Sequence, residues 1–338
     1  MLLGNDLIEF HSVLGKTLRP GIVRILEHPE WGKYILQANN CGFRSSQDFS
    51  YEKKYKQRIL IFGDSNAFGN GVSNELRFPD VLEKMIPDIE IYNFSMEGFA
   101  LDQQYLCYQE IASKFEHDLI ISAPAVETIR KLITHYEITQ DENKIQRCYA
   151  RPYFELDNGK LVRGNIPLKE GYLDENCLPK TERDKINRGN TFSKVGNMLQ
   201  KVKLKDTVLR NINYQPFPEY DSPDTPAWKI MRAIFLEWIA NSHKPFLIVP
   251  LPRYIYVKGQ ASAQNYQARF CEVASESGCS LYDPLPEIHK LTMEERRKMY
   301  YLEGHLTPQG HDNMAKLLAP HVRDILKKSR KSSISKTS

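Results

Sequence analysis

The sequence predicts an α/β fold built on a parallel sheet, and three observations carry that expectation. Short β-branched or aliphatic runs alternate with segments of helical periodicity along most of the chain. Those runs are apolar almost throughout, as strands buried on both faces are. The succession strand, helix, strand is that of crossover units, whose right-handed connections bring every strand's C-terminal end to one edge of the sheet. Ligand sites of open α/β sheets form on that edge.

The elements follow in order. "RILIFG" (58–63) is the strongest strand, and "RFPDVLEKMI" (77–86) the helix after it. "IEIYNFS" (89–95) reads as a strand, "LDQQYLCYQEIASKF" (101–115) as a helix and "DLIISA" (118–123) as the third strand. After a long interruption come the helix "AWKIMRAIFLEWIANS" (227–242) and the strand "PFLIVPLP" (245–252). The helix "NYQARFCEVASES" (265–277), a short strand "SLYD" (280–283) and a last helix at 308–326 complete the pattern, giving a sheet of about five strands.

The domain at 51–130 and 226–326 is thus interrupted by residues 131–225. An insertion of that length is expected as a lid or accessory subdomain beside the site. Within it "YFELDNGKLV" (153–162) predicts a hairpin around Asn158-Gly159. Residues 1–50 show no clear period and are expected as an extended lead lying on the domain. Residues 327–338 are expected as a basic, disordered tail.

Composition narrows the function classes. The chain has 338 residues, 41% hydrophobic and 26% charged, as a globular protein does, with a formal net charge of +4. From Arg323 onward stand six Lys or Arg against one Asp, so the rest of the chain is near −1. That leaves no basic footprint for nucleic acid. The six cysteines show neither a C-x-x-C pair nor zinc-site spacing, and are expected as free thiols. No run reaches the roughly 20 apolar residues of a membrane span. Asp6 and Glu9 interrupt the place of a signal peptide's apolar segment, so the expected location is cytoplasmic.

Two loops could carry chemistry. Ser65 follows the strongest strand in "GDSNAFGNG", where a sharp turn exposes a hydroxyl and aims backbone N–H groups at it. Alternatively, Asp64-Ser65 simply caps the next helix. Near the other end, "YYLEGHLTPQGH" (300–311) sets Glu303 two residues before His305, just ahead of the last helix. A serine nucleophile needs a base and the base an orienting acceptor, roles open to His305 and Glu303. His311 is expected as a surface or packing residue, and the two histidines lack the spacing of metal ligands. Arg253, beyond the strand 245–252, stands on the presumed site edge where it could meet an anionic substrate. Tyr254 and Tyr256 beside it could stack on a sugar.

These pieces together resemble the SGNH/GDSL hydrolases. Gly63-Asp64-Ser65 matches their first block, and Gly98 in "NFSMEGFALDQQ" (93–104) the glycine of their second. "EGHLTPQGH" is similar to the acid-x-histidine form of their last block, with Glu303 in place of Asp. The stretches "NNCGFRSSQDFS" (39–50) and "RPYFELDNGKLV" (151–162) resemble segments of bacterial members. The resemblance spans residues 15 to 325 in the expected order. It implies a three-layer α/β/α sandwich and ester hydrolysis without metal or organic cofactor. Ser65 would be the nucleophile, His305 the base and Glu303 its orienter, with the N–H groups of Ser65 and Gly98 in the oxyanion hole.

The third block departs from the family. Glu127, followed by Thr128, stands where the family has an Asn that donates to the oxyanion, and a carboxylate cannot donate. Asn66 could replace that donor. Glu127 could be protonated or paired outward, for instance with Arg130, or hydrolysis could be impaired. Asp64, Glu127, Arg130 and Arg253 are therefore the expected pocket residues. The implied substrate is a small O-acyl ester, first of all an acetyl ester on a carbohydrate. An O-acyltransferase acting on a sugar hydroxyl and a non-hydrolytic binding protein on the same fold are the alternatives.

Overall fold

A computed structural model of the chain describes residues 6–140, 145–173, 178, 181–183 and 214–334. Two antiparallel hairpins come first: β1 (Ile8–His11) with β2 (Gly15–Leu18), and β3 (Val23–His28) with β4 (Gly32–Gln37). The lead is thus folded, not extended. In β4 it alternates, burying Tyr34 and Leu36 while Lys33 and Ile35 face outward, a half-buried pattern too short to stand out from the sequence.

Next come β5 (Gln57–Gly63), α1 (Ser65–Phe68), α2 (Phe78–Met85), β6 (Ile89–Asn93), α3 (Leu101–Glu110) and β7 (Leu119–Ala123). A 3₁₀ segment, Val126–Ile133, follows β7. The insertion begins with two hairpins, β8 (Tyr136–Gln140) with β9 (Gln146–Ala150) and β10 (Tyr153–Asp157) with β11 (Lys160–Gly164). The domain resumes with α4 (Pro226–Ser242), β12 (Phe246–Ile248), α5 (Tyr254–Val257), α6 (Gln264–Ser277) and β13 (Ser280–Leu281). It closes with α7 (Leu285–Ile288), α8 (Met293–Lys298) and α9 (Pro308–Ile334).

Five strands form one parallel sheet in the order β13–β12–β7–β5–β6. Every residue of β5, β6 and β7 is buried, as their apolar sequences require. Helices α2 and α9 pack on each other, while α4 packs on both α3 and α6, so two helix layers enclose the sheet. The result is the expected three-layer α/β/α sandwich. Trp228 and Trp238 of α4 are fully buried, and Trp238 packs edge-on against Phe62 of β5.

The described part of the insertion lies on the helix layer. Arg151, just before β10, donates to both carboxylate oxygens of Asp102 on α3 (2.9 and 3.1 Å), and Phe154 packs on Tyr105. Residues 184–213 of the expected lid lie outside the described residues. Helix α9 continues past 326 to Ile334, so 327–334 of the expected disordered tail is helical. Lys328 pairs with Asp324 one turn back, and half of the segment is helix-forming Lys and Arg. Residues 335–338 lie outside the described set. Cys41, Cys107, Cys271 and Cys279 are free thiols. Among the described residues no helix is long and apolar enough to cross a membrane.

The lead is fastened by Arg44, whose side chain is fully buried. Its guanidinium donates to Asn74 Oδ1 (2.8 Å) and to the carbonyls of Phe68, Gly69, Val72 and Ile35. Burial, and next the charge of Arg77, lowers its pKa to about 9, which still leaves it charged at neutral pH. Replacing it leaves buried carbonyls without donors. Arg44→Met is expected to cost about 3 kcal/mol or more in urea denaturation, and a loss below about 1 kcal/mol would contradict this account.

Candidate active site

Ser65 is the first residue of α1, directly after β5. The strand must turn sharply here, and Gly63 permits it: a Cβ there would lie 2.6 Å from Ala67 Cβ and 2.9 Å from the Ala123 carbonyl. The helix cap is Asp64, not Ser65. Asp64 Oδ1 accepts from Asn66 N–H (3.0 Å) and Oδ2 from Ala125 N–H (3.1 Å). The second bond ties the turn to the chain leaving β7. With the cap supplied by its neighbour, the Ser65 hydroxyl is left for another partner.

That partner is His305, 240 residues away, whose Nε2 lies 2.9 Å from Ser65 Oγ. His305 Nδ1 lies 3.0 Å from Glu303 Oε1, and Glu303 Oε2 accepts the His305 backbone N–H at 2.7 Å. A carboxylate only accepts, so the imidazole proton sits on Nδ1 and Nε2 presents its lone pair to the serine hydroxyl. The three predicted residues thus form a continuous chain, Ser65–His305–Glu303. Burial depresses the imidazole's pKa, but hydrogen bonding to Glu303 and the carboxylate's charge outweigh it and raise the value above 6.5. Burial opposes ionisation of Glu303, yet its bonds to His305 and His28 and the imidazole's charge bring it down to about 2.

Gly98 has φ +82°, a conformation that favours glycine. Its loop adjoins the nucleophile turn: Met96 N–H donates to Gly63 O (3.4 Å) and Asn70 Nδ2 to Glu97 Oε1 (3.0 Å). Lys131 Nζ holds the Gly98 carbonyl (2.8 Å). Among the described residues, the backbone N–H groups of Ser65 and Gly98 donate to no protein acceptor. Asn66 turns its carboxamide oxygen to the Leu306 N–H (3.3 Å), joining the Ser65 turn to the His305 loop.

Glu127 does not pair with Arg130. Arg130 is drawn to Glu219 (3.3 Å) and lies over the Phe217 ring (4.6 Å), both in the segment before α4. Glu127 faces Arg253 instead, at a loose 3.7 Å, because β7 and β12 stay paired beyond their ends through Ala125 and Leu251. Its other carboxylate oxygen is buried with no hydrogen-bond partner among the described residues. Thr128 is turned away, its hydroxyl donating to the Ala125 carbonyl (2.8 Å). Burial, and then the nearby charge of Glu127, raises Asp64 to about 7. Tyr254 stacks on Tyr300 (5.2 Å) at this edge, whereas Tyr256 is buried against Tyr266.

Two residues near the site escaped the sequence reading. His28, from the lead, reaches Glu303 (3.1 Å), and Lys131 holds Gly98. His311 is fully buried in α9 and accepts the N–H of Phe78, the first residue of α2, at 3.1 Å. It is a packing residue. Among the described residues no three or more His, Cys, Asp or Glu side chains gather as a metal site would require.

No protein-family model matches the sequence, and no curated protein matches it. Solved structures similar to this chain include a lipolytic G-D-S-L family protein from Veillonella parvula (11% identity, 77% of this chain and 95% of that one, TM-score 0.40). An acetyl xylan esterase (11%, 78% and 99%, TM-score 0.42) and a lipase/acylhydrolase from Enterococcus faecalis (10%, 80% and 96%, TM-score 0.41) are others.

The Glu303 contact fixes the sign of a titration. An NMR titration of His305 should give a midpoint above 6.5, because Glu303 favours the imidazolium. Glu303→Gln removes that charge and should move the midpoint down. A midpoint unmoved by the substitution would show that the carboxylate does not act on His305.

Proposed function

We propose that this protein is a serine esterase that removes a small O-acyl group, an acetyl group on a carbohydrate first of all. The observation that carries the proposal is the Ser65–His305 contact of 2.9 Å, backed by Glu303 at 3.0 Å. His305 Nε2 takes the Ser65 proton as Oγ attacks the ester carbonyl. The backbone N–H groups of Ser65 and Gly98 stabilise the oxyanion, and the imidazolium, held by Glu303, returns its proton to the departing alcohol. Water, deprotonated by the same imidazole, then attacks the acyl-serine and frees the acid and Ser65. The carbohydrate assignment is supported by the charged pair of Glu127 and Arg253 at this edge, which suits hydroxyl groups.

Ser65→Ala should abolish labelling by a fluorophosphonate probe and lower p-nitrophenyl acetate turnover by about 10⁴-fold or more. Turnover surviving in Ser65→Ala would refute the assignment. A second reading, a binding protein without turnover, is favoured by one observation: Glu127 presents an acceptor where a donor would be useful. No labelling of the wild-type protein, with labelling gained in Glu127→Asn, would select it. Acyl transfer to added sugars faster than hydrolysis would instead select a transferase built on the same three residues.

A further inference from the structure

We infer that His28, from the N-terminal β3–β4 hairpin, is a positioning residue for this site, a second imidazole that holds Glu303 in the orientation His305 needs. The inference rests on the reading of Ser65, His305 and Glu303 as the reacting set. His28 Nε2 lies 3.1 Å from Glu303 Oε1, the same oxygen that faces His305 Nδ1. Its tautomer is fixed from the other side. The Glu30 backbone N–H donates to His28 Nδ1 (3.2 Å), which places the ring proton on Nε2, aimed at the carboxylate. The hydrogen-bonded chain is therefore Ser65–His305–Glu303–His28, with Glu303 accepting from both imidazoles.

The ring is held rigidly. His28 is buried and lies against Tyr301, with ring centroids 4.0 Å apart, while the Tyr301 hydroxyl donates to the Gly71 carbonyl (3.2 Å). Gly71 leaves the space for both rings, since a Cβ there would be 3.0 Å from each. The hairpin turn also grips the loop directly, with the Glu30 carboxylate accepting the Leu302 N–H (2.9 Å). A physical need explains the arrangement. Glu303 is 39% exposed and has one more rotatable bond than an aspartate, so water and rotamer freedom compete with its hold on His305. A donor fixed in the fold removes that freedom.

The test compares kcat and KM for p-nitrophenyl acetate in His28→Phe, His28→Gln, Glu303→Ala and the double variant His28→Phe/Glu303→Ala. Phe keeps an aromatic ring against Tyr301 but has no donor, and Gln supplies an N–H. His28→Phe should lower kcat about 10- to 100-fold with KM changed less than about two-fold, and Gln should recover most of the loss. In the Glu303→Ala background, His28→Phe should have no further effect, because its role runs only through Glu303. Where the Phe variant does not fold, His28→Asn, too short to reach the carboxylate, serves with the same expectation. Wild-type kcat in a folded donorless variant, or a loss that adds fully to that of Glu303→Ala, overturns the inference. Turnover surviving in Ser65→Ala would overturn the underlying reading instead, so the two failures are distinguishable.

Discussion

The buried guanidinium of Arg44 is the contact on which the geometry of the site depends. A fully buried cation without a carboxylate partner is costly unless every donor is used. Here the donors are spent on carbonyls at the end of α1 and in the turn after it, on Asn74, and on Ile35 of β4. One side chain thereby joins the turn that exposes Ser65 to the hairpin that delivers His28. The N-terminal segment is not an appendage. Without it Glu303 keeps only His305 as a partner, and the nucleophile turn loses the group that satisfies its carbonyls.

The parallel sheet supplies the second constraint. Since β5, β7 and β12 all run in one direction, the loops after them converge, and each contributes to the site in its own way. The loop after β5 gives Ser65. The chain after β7 gives Ala125, whose N–H fixes Asp64, and then Glu127. The chain after β12 gives Arg253, the counter-ion of Glu127. His305 comes from before the last helix, and Asn66 bonds its loop to the serine's own turn. Ser65 and His305 are thus positioned by contacts between neighbouring loops, with the sheet setting only their approximate places.

What the sequence made legible follows from how local each signal is. Strands β5, β7 and β12 lie in apolar runs, and α2, α3, α4, α6 and α9 begin within about a residue of expectation, because period and boundary signals act over short windows. Ser65, Gly98, Glu303 and His305 were legible because each sits in a short motif at a strand end or helix start. His28 was not, since its partner lies 275 residues away and its hairpin has no marked period. Arg44 lay inside a quoted motif, but its role comes from carbonyls spread over three segments. The Arg130 expectation failed for a related reason. Proximity in sequence favoured Glu127, but tertiary structure brought Glu219 and the Phe217 ring to Arg130 and Arg253 to Glu127.

The remaining electrostatic question is how a site with Asp64, Glu127 and Glu303 close to one serine tolerates a developing negative charge. The three carboxyls do not share one state. Glu303 is bound by two imidazoles and held ionised, with a pKa of about 2, and in the proposed reaction its charge would be matched by the imidazolium formed as Ser65 is deprotonated. Glu127 has Arg253 beside it. Among the described residues Asp64 has no cationic partner at salt-bridge distance. Burial and the charge of Glu127 together push its pKa to about 7, against the two backbone N–H groups it accepts. Asp64, the carboxyl next to Ser65 in the chain, therefore holds its proton more readily than an exposed carboxyl does. Burial first, and the charge of Glu127 second, thus favour the neutral form of Asp64, which in the proposed reaction would lessen the repulsion on a developing oxyanion.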